Sequence, residues 1–130
     1  IEDIRHMNMS PLTKLRHYVE ALSKIQETNP ESIPLICREL LAPQPIFEKF
    51  VKNKLYALHQ FMTELVEQAI ECKEIHTDIK PTHVAFTIES TIMFFFLTQH
   101  QVQELGNYAP GEQGIYLTQV LETYLASLSK

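Results

Sequence analysis

The chain has 130 residues, with 16 acidic and 11 basic side chains and a formal net charge of −5. Its 45% hydrophobic and 21% charged content fits one globular domain, able to bury roughly two thirds of its unfolded surface, and excludes a disordered or fibrous chain. The acidic balance, with no Lys/Arg stripe, excludes a surface that grips phosphate backbones, and charges such as Glu89 interrupt every run long enough to span a membrane.

The start, Ile1-Glu2-Asp3-Ile4, lacks the basic and apolar regions of a signal peptide and reads as mid-helix, so a fragment of a longer protein is expected. All three glycines fall at 106–114, leaving prolines as the main punctuation before them. Ser10-Pro11 reads as an N-cap with proline at the first helical position. Leu12, Leu15, Val19 and Leu22 follow at helical spacing, flanked by Tyr18 and Ile25, until Asn29-Pro30. A short helix then carries Ile33, Ile36, Cys37, Leu40 and Leu41, with Pro34 confined to its first turn.

After the break at Ala42-Pro43-Gln44-Pro45, a long helix is predicted from about Pro45 to Cys72. Phe47, Phe50, Val51, Leu55, Leu58, Phe61, Met62, Leu65, Ala69 and Cys72 step by three or four along it, opposite Asn53, Gln60, Glu64, Glu67 and Glu71. Thr77 to Pro81 turns into a helix expected over Thr82 to Leu105. The 106–114 loop leads to a last helix, about Ile115 to Ser129, with Leu117, Val120, Leu121, Tyr124, Leu125 and Leu128 on one face. No strand pattern or repeat occurs. The fold class is all-α, a multi-helix bundle.

The Thr82–Leu105 helix is apolar on every side at steps of about 100° per residue. One face carries Phe86, Ser90, Met93 and Leu97; a second, Val84, Ile88, Phe95 and Val102; a third, Ala85, Glu89, Ile92 and Phe96. Thr87, Thr91 and Thr98 form a narrow stripe between the first two. Such a helix needs burial all round, as a central core helix or at a subunit interface, where it and the last helix form half of a dimer four-helix bundle. Glu89 is costly in these surroundings, and is a pocket acid, the structural partner of a cation such as Arg38, or a residue in a surface notch. Aromatic and Met residues (Tyr18, Phe50, Phe61, Met62, Phe86, Met93 and Phe94) either line an adaptable cavity or fill the core.

Catalytic chemistry is not legible. Six histidines (His6, His17, His59, His76, His83 and His100) show no helical metal spacing and read as isolated surface residues. Cys37 and Cys72 read as inert buried thiols, too few for a disulfide framework, in a reducing compartment. Neither phosphate-cradling glycine motifs nor a nucleophile elbow are present. No metal and no cofactor are expected.

The run Ile36-Cys37-Arg38-Glu39-Leu40-Leu41-Ala42-Pro43, then Phe50-Val51 in a long helix, resembles the C-terminal regulatory domain of TetR-like transcriptional repressors. Ile75-His76-Thr77-Asp78-Ile79-Lys80-Pro81, followed by a helix ending Met93-Phe94-Phe95-Phe96-Leu97, is similar to that family's turn into its main dimerisation helix. The resemblance covers about Pro11 to Lys130. It implies that residues 1–9 end a connecting helix from a missing N-terminal helix-turn-helix domain, and that 10–130 form a ligand-binding and dimerisation domain. It also implies a cytoplasmic homodimer that touches DNA only through the missing domain and takes a small-molecule effector. Helix faces assign the implied cavity wall to Tyr18, Leu22, Ile36, Leu40, Phe61, Met62, Leu65, Phe86, Glu89, Ser90 and Met93. They assign the implied dimer face to Val84, Ile88, Phe95, Val102, Leu117, Val120, Leu121 and Tyr124. A stand-alone helical carrier of a lipid-like ligand, and a helix-docking module without a cavity, remain alternatives.

Overall fold

The computed structural model describes residues 2–42 and 45–129, with side chains for 4–42 and 48–129. Ile1, the Pro43-Gln44 break, the side chain of Phe47 and Lys130 lie outside the described residues. Those described form α1 (Glu2–Arg5), α2 (Pro11–Thr28), α3 (Ser32–Leu41), α4 (Pro45–Glu71), α5 (Pro81–Leu97), α6 (Gln99–Leu105) and α7 (Gly114–Leu128), with no strand among them.

Local chemistry sets the helix ends. Ser10 Oγ accepts from Thr13 N at 3.2 Å and caps α2, while Glu74 Oε1 reaches back from the α4–α5 loop to accept from Leu12 N, also at 3.2 Å. Pro34 falls in the first turn of α3, where its missing N–H costs nothing. Lys73 closes α4 in the left-handed region (φ 63°), letting Glu74 N bond Ala69 O at 2.8 Å. The following Ile75 is buried, and His76 N donates to Leu128 O at 2.7 Å, tying this loop to the end of α7.

Packing centres on α4 and α5. Helix α2 lies on α4, α3 bridges α4 and α5, α7 covers another side of α5, and α1 rests on α2. The core joins Leu15, Tyr18 and Val19 of α2 to Phe61, Met62, Leu65, Val66 and Ala69 of α4. It continues through Val84, Ala85, Ile88, Ile92, Phe95 and Phe96 of α5 to Leu117, Leu121, Leu125 and Leu128 of α7. Phe95 stands edge-on to Phe96 (centroids 5.0 Å apart) and stacks with Tyr116 of α7 at 6.1 Å.

The structure corrects two expectations. The helix predicted to run to Leu105 breaks at Thr98, whose backbone turns to φ −120°, ψ 22° and whose Oγ1 donates to Phe94 O at 2.7 Å. No glycine or proline announces this break; a side-chain hydroxyl competing for the helical carbonyl accompanies it. Second, five residues assigned to a dimer face (Val84, Ile88, Phe95, Leu117 and Leu121) are buried within the single chain, where α5 packs against both α4 and α7. Only Val102, Val120 and Tyr124 of that set keep partial exposure. Its own chain does not cover α5 all round, which leaves the expectation of burial at a subunit interface open. Phe86 (65% exposed), Phe94 (67%) and Leu97 emerge on the flank away from the core, with His83 and Thr87.

Candidate functional site

A cavity of about 570 Å³ opens between α2, α3, α4 and α5. Each helix offers one face to it at helical spacing. Tyr18, Leu22 and Gln26 step by four along α2, and Ile33, Ile36 and Leu40 lie along α3. From α4 come Lys52, Leu55, Tyr56, Leu58, His59 and Met62; from α5, Phe86, Glu89, Ser90, Ile92 and Met93. Exposed Leu40, Tyr56 and Phe86 mark its mouth, and buried Tyr18, Ile33, Met62 and Ile92 its floor. The volume falls in the range of small-molecule sites, roughly 300–1,000 Å³.

Polar groups gather at one corner. His59 Nδ1 lies 2.7 Å from Glu89 Oε1, and His59 Nε2 lies 2.7 Å from Thr82 Oγ1. A carboxylate oxygen only accepts, so Nδ1 carries the proton whenever Glu89 is ionised; in the neutral ring Nε2 then accepts from Thr82. Thr63, one turn on from His59, donates its hydroxyl to His59 O at 2.8 Å. The two side chains are 29% and 21% exposed, so the pair is largely withdrawn from water. Burial pushes the Glu89 carboxyl above its ordinary value, against the opposing hydrogen bond and charge of His59.

Tyr18 completes the corner. It is 2% exposed, its Oη has no hydrogen-bond partner, and its ring meets Phe61 edge-on with centroids 4.8 Å apart. Burial, and then the charge of Glu89, push its phenol above the ordinary value, so it stays protonated and neutral. The hydroxyl is therefore a buried group that both donates and accepts, with neither capacity used by protein.

Of the residues assigned from the sequence to a cavity wall, Tyr18, Leu22, Ile36, Leu40, Met62, Phe86, Glu89, Ser90 and Met93 surround this space. Phe61 and Leu65 do not line it. They sit one step around α4, where Phe61 lies under the Arg5 guanidinium (4.7 Å to the ring centroid) and against Tyr18, and Leu65 is buried in the core. Arg38, considered as the partner of Glu89, is exposed, and His59 takes that place. His59 is thus neither the isolated nor the surface residue that the sequence suggests for all six histidines. The signal for it was its position between Leu55 and Met62 on one helical face, opposite a lone apolar-face carboxylate. Cys37 is half-buried, but Cys72 is exposed rather than buried. Among the described residues no cluster of His, Cys, Asp and Glu could hold a metal ion.

The model of the C-terminal domain of the HTH-type transcriptional dual regulator CecR matches residues 11–127. The chain belongs to this family. The CecR C-terminal domain is a TetR-type regulator domain, as the ordered residue series resembled, and its family comprises transcription regulators rather than enzymes. No curated protein and no solved structure matches the chain. The CecR-type match begins at the first residue of α2 and ends one residue short of the end of α7, so it takes in all four helices around the cavity. Among the described residues no helix is long and apolar enough to cross a membrane.

Proposed function

We propose that this chain is the effector-binding and dimerisation domain of a cytoplasmic TetR-type repressor, and that a small apolar or amphipathic molecule in the cavity releases the repressor from DNA. The observation that carries this is the cavity, an apolar space of ligand size with one buried polar corner. A helix-docking module without a cavity has no use for such a space. Residues 1–9 form the end of the connection to a DNA-reading domain, and 10–130 the sensing part. The partner face lies on the exposed flank of α5, around Thr87, Thr91 and Phe94, and on the half-exposed Val120 and Tyr124 of α7.

Control of DNA binding requires the effector to prefer one of two states. A packed route exists for that preference: cavity-lining Tyr18 abuts Phe61, Phe61 holds the Arg5 guanidinium on its face, and Arg5 also pairs with Glu64 at 3.4 Å. Arg5 ends α1, the segment leading towards the DNA-reading part. Thermal unfolding with a panel of amphipathic compounds tests the effector role. A true effector at a hundredfold its Kd stabilises by about 2.7 kcal/mol. The Ile36→Trp variant, which fills the cavity, is expected to lose that response while keeping its helical signal. An unchanged response in Ile36→Trp counts against the cavity as the binding place.

A further inference from the structure

The cavity wall is apolar except where a few polar groups reach it, and most of these are already engaged. Gln26 accepts from Ser32 Oγ. Lys52 is held by Glu48 at 2.7 Å, and lies seven residues before His59, about 10 Å away along α4. Ser90 Oγ donates back to Thr87 O at 3.2 Å. Tyr56 is exposed at the mouth, and α3 contributes only Ile33, Ile36 and Leu40. At the buried corner two groups keep unused capacity: the Glu89 carboxylate, which accepts several hydrogen bonds and receives one from His59, and the partnerless Tyr18 Oη. Both accept, and one carries negative charge.

We propose that the cavity selects amphipathic amines, whose ammonium group docks between Glu89 and Tyr18 Oη and displaces the proton shared by His59 and Glu89. This rests on the cavity being an effector site. An ammonium brings charge-assisted N–H donors for both oxygens and a positive charge that replaces the proton of the pair; a carboxylate is repelled by the Glu89 oxygens, and a hydroxyl leaves the proton on the pair and makes only neutral hydrogen bonds. The charges balance. With no amine bound, one proton on the His59–Glu89 pair makes the pair neutral, whichever residue holds it. With the amine bound, Glu89 is ionised, His59 is neutral, the ammonium supplies the positive charge, and the proton leaves to water. Amine affinity therefore rises with pH by up to about tenfold per unit while the pair holds its proton, and levels off above that range.

The test is calorimetric titration of the full chain with three probes sharing one apolar body: naphthylmethylamine, naphthylmethanol and naphthoate. The amine is expected to bind about tenfold more tightly than the alcohol, with naphthoate weakest. Amine affinity should climb with pH while the alcohol's stays flat. In Glu89→Gln the amine should fall to the level of the alcohol, and in Tyr18→Phe it should weaken by roughly fivefold. Alcohol or naphthoate binding as tightly as the amine, or amine affinity that ignores pH, overturns the amine inference alone. Should Glu89→Gln fail to fold, the Tyr18→Phe variant and the pH series still decide. If none of the three probes binds, the effector reading falls with it.

Discussion

Glu89 and Tyr18 are opposite solutions to burial at one corner. The carboxylate finds a partner in His59, and the phenol finds none, which leaves a buried hydroxyl that a core has no reason to keep. The raised Glu89 pKa has a consequence for stability. The folded protein holds that proton more tightly than the unfolded chain does, so Glu89 contributes stability that is complete below the ordinary value of 4.5. That contribution is lost as pH rises through the raised, folded value. Glu89→Gln cannot titrate there. Urea unfolding of both proteins should show the parent gaining on Glu89→Gln as pH falls from neutral towards 4.5; a constant difference across that window contradicts the raised value. The lone apolar-face carboxylate was legible in the sequence, but its partner was not. His59 and Glu89 are 30 residues apart, and only the packing of α4 on α5 brings them within 2.7 Å.

At the level of the element, helix starts were readable because they rest on local chemistry. Ser10-Pro11 and Pro81 mark positions where a cap or a missing N–H decides the matter within a few residues. The break at Thr98 was hidden, since threonine is tolerated within helices and only its bond to Phe94 O accompanies the turn. Lys73 is the reverse case, a residue whose side chain disfavours the backbone it adopts at φ 63°. Left-handed geometry costs a residue with a Cβ roughly 1–2 kcal/mol, and glycine is spared it. Lys73→Gly is accordingly expected to raise stability by about 1 kcal/mol, read as a shifted denaturation midpoint with unchanged slope. A loss of stability would mean that the Lys73 side chain makes a compensating contact.

For the whole molecule, the all-apolar α5 correctly signalled a central helix but misplaced the boundary between core and surface. Periodicity orders residues around a helix; it does not say which neighbour covers which side. Val84, Ile88 and Phe95 go to the chain's own α4 and α7, while Phe86 and Phe94 are left on the outside. Leu121→Ala should therefore destabilise the folded chain by roughly 2–5 kcal/mol by opening a void between α5 and α7. Phe94→Asp should leave the unfolding midpoint of the monomer nearly unchanged and shift light scattering from dimer to monomer. A Phe94→Asp protein that remains dimeric places the partner face elsewhere.

The cavity between α2, α3, α4 and α5 is the claim on which the rest depends, and the four methionines of the chain offer a direct probe of it. Met62 and Met93 line the cavity, whereas Met7 and Met9 lie in the segment after α1. With methionine methyls labelled and naphthylmethylamine bound, NMR should give intermolecular contacts from the naphthalene protons to Met62 and Met93, and none to Met7 or Met9. Contacts to Met7 or Met9 with silence at Met62 and Met93 would contradict a ligand site among these helices.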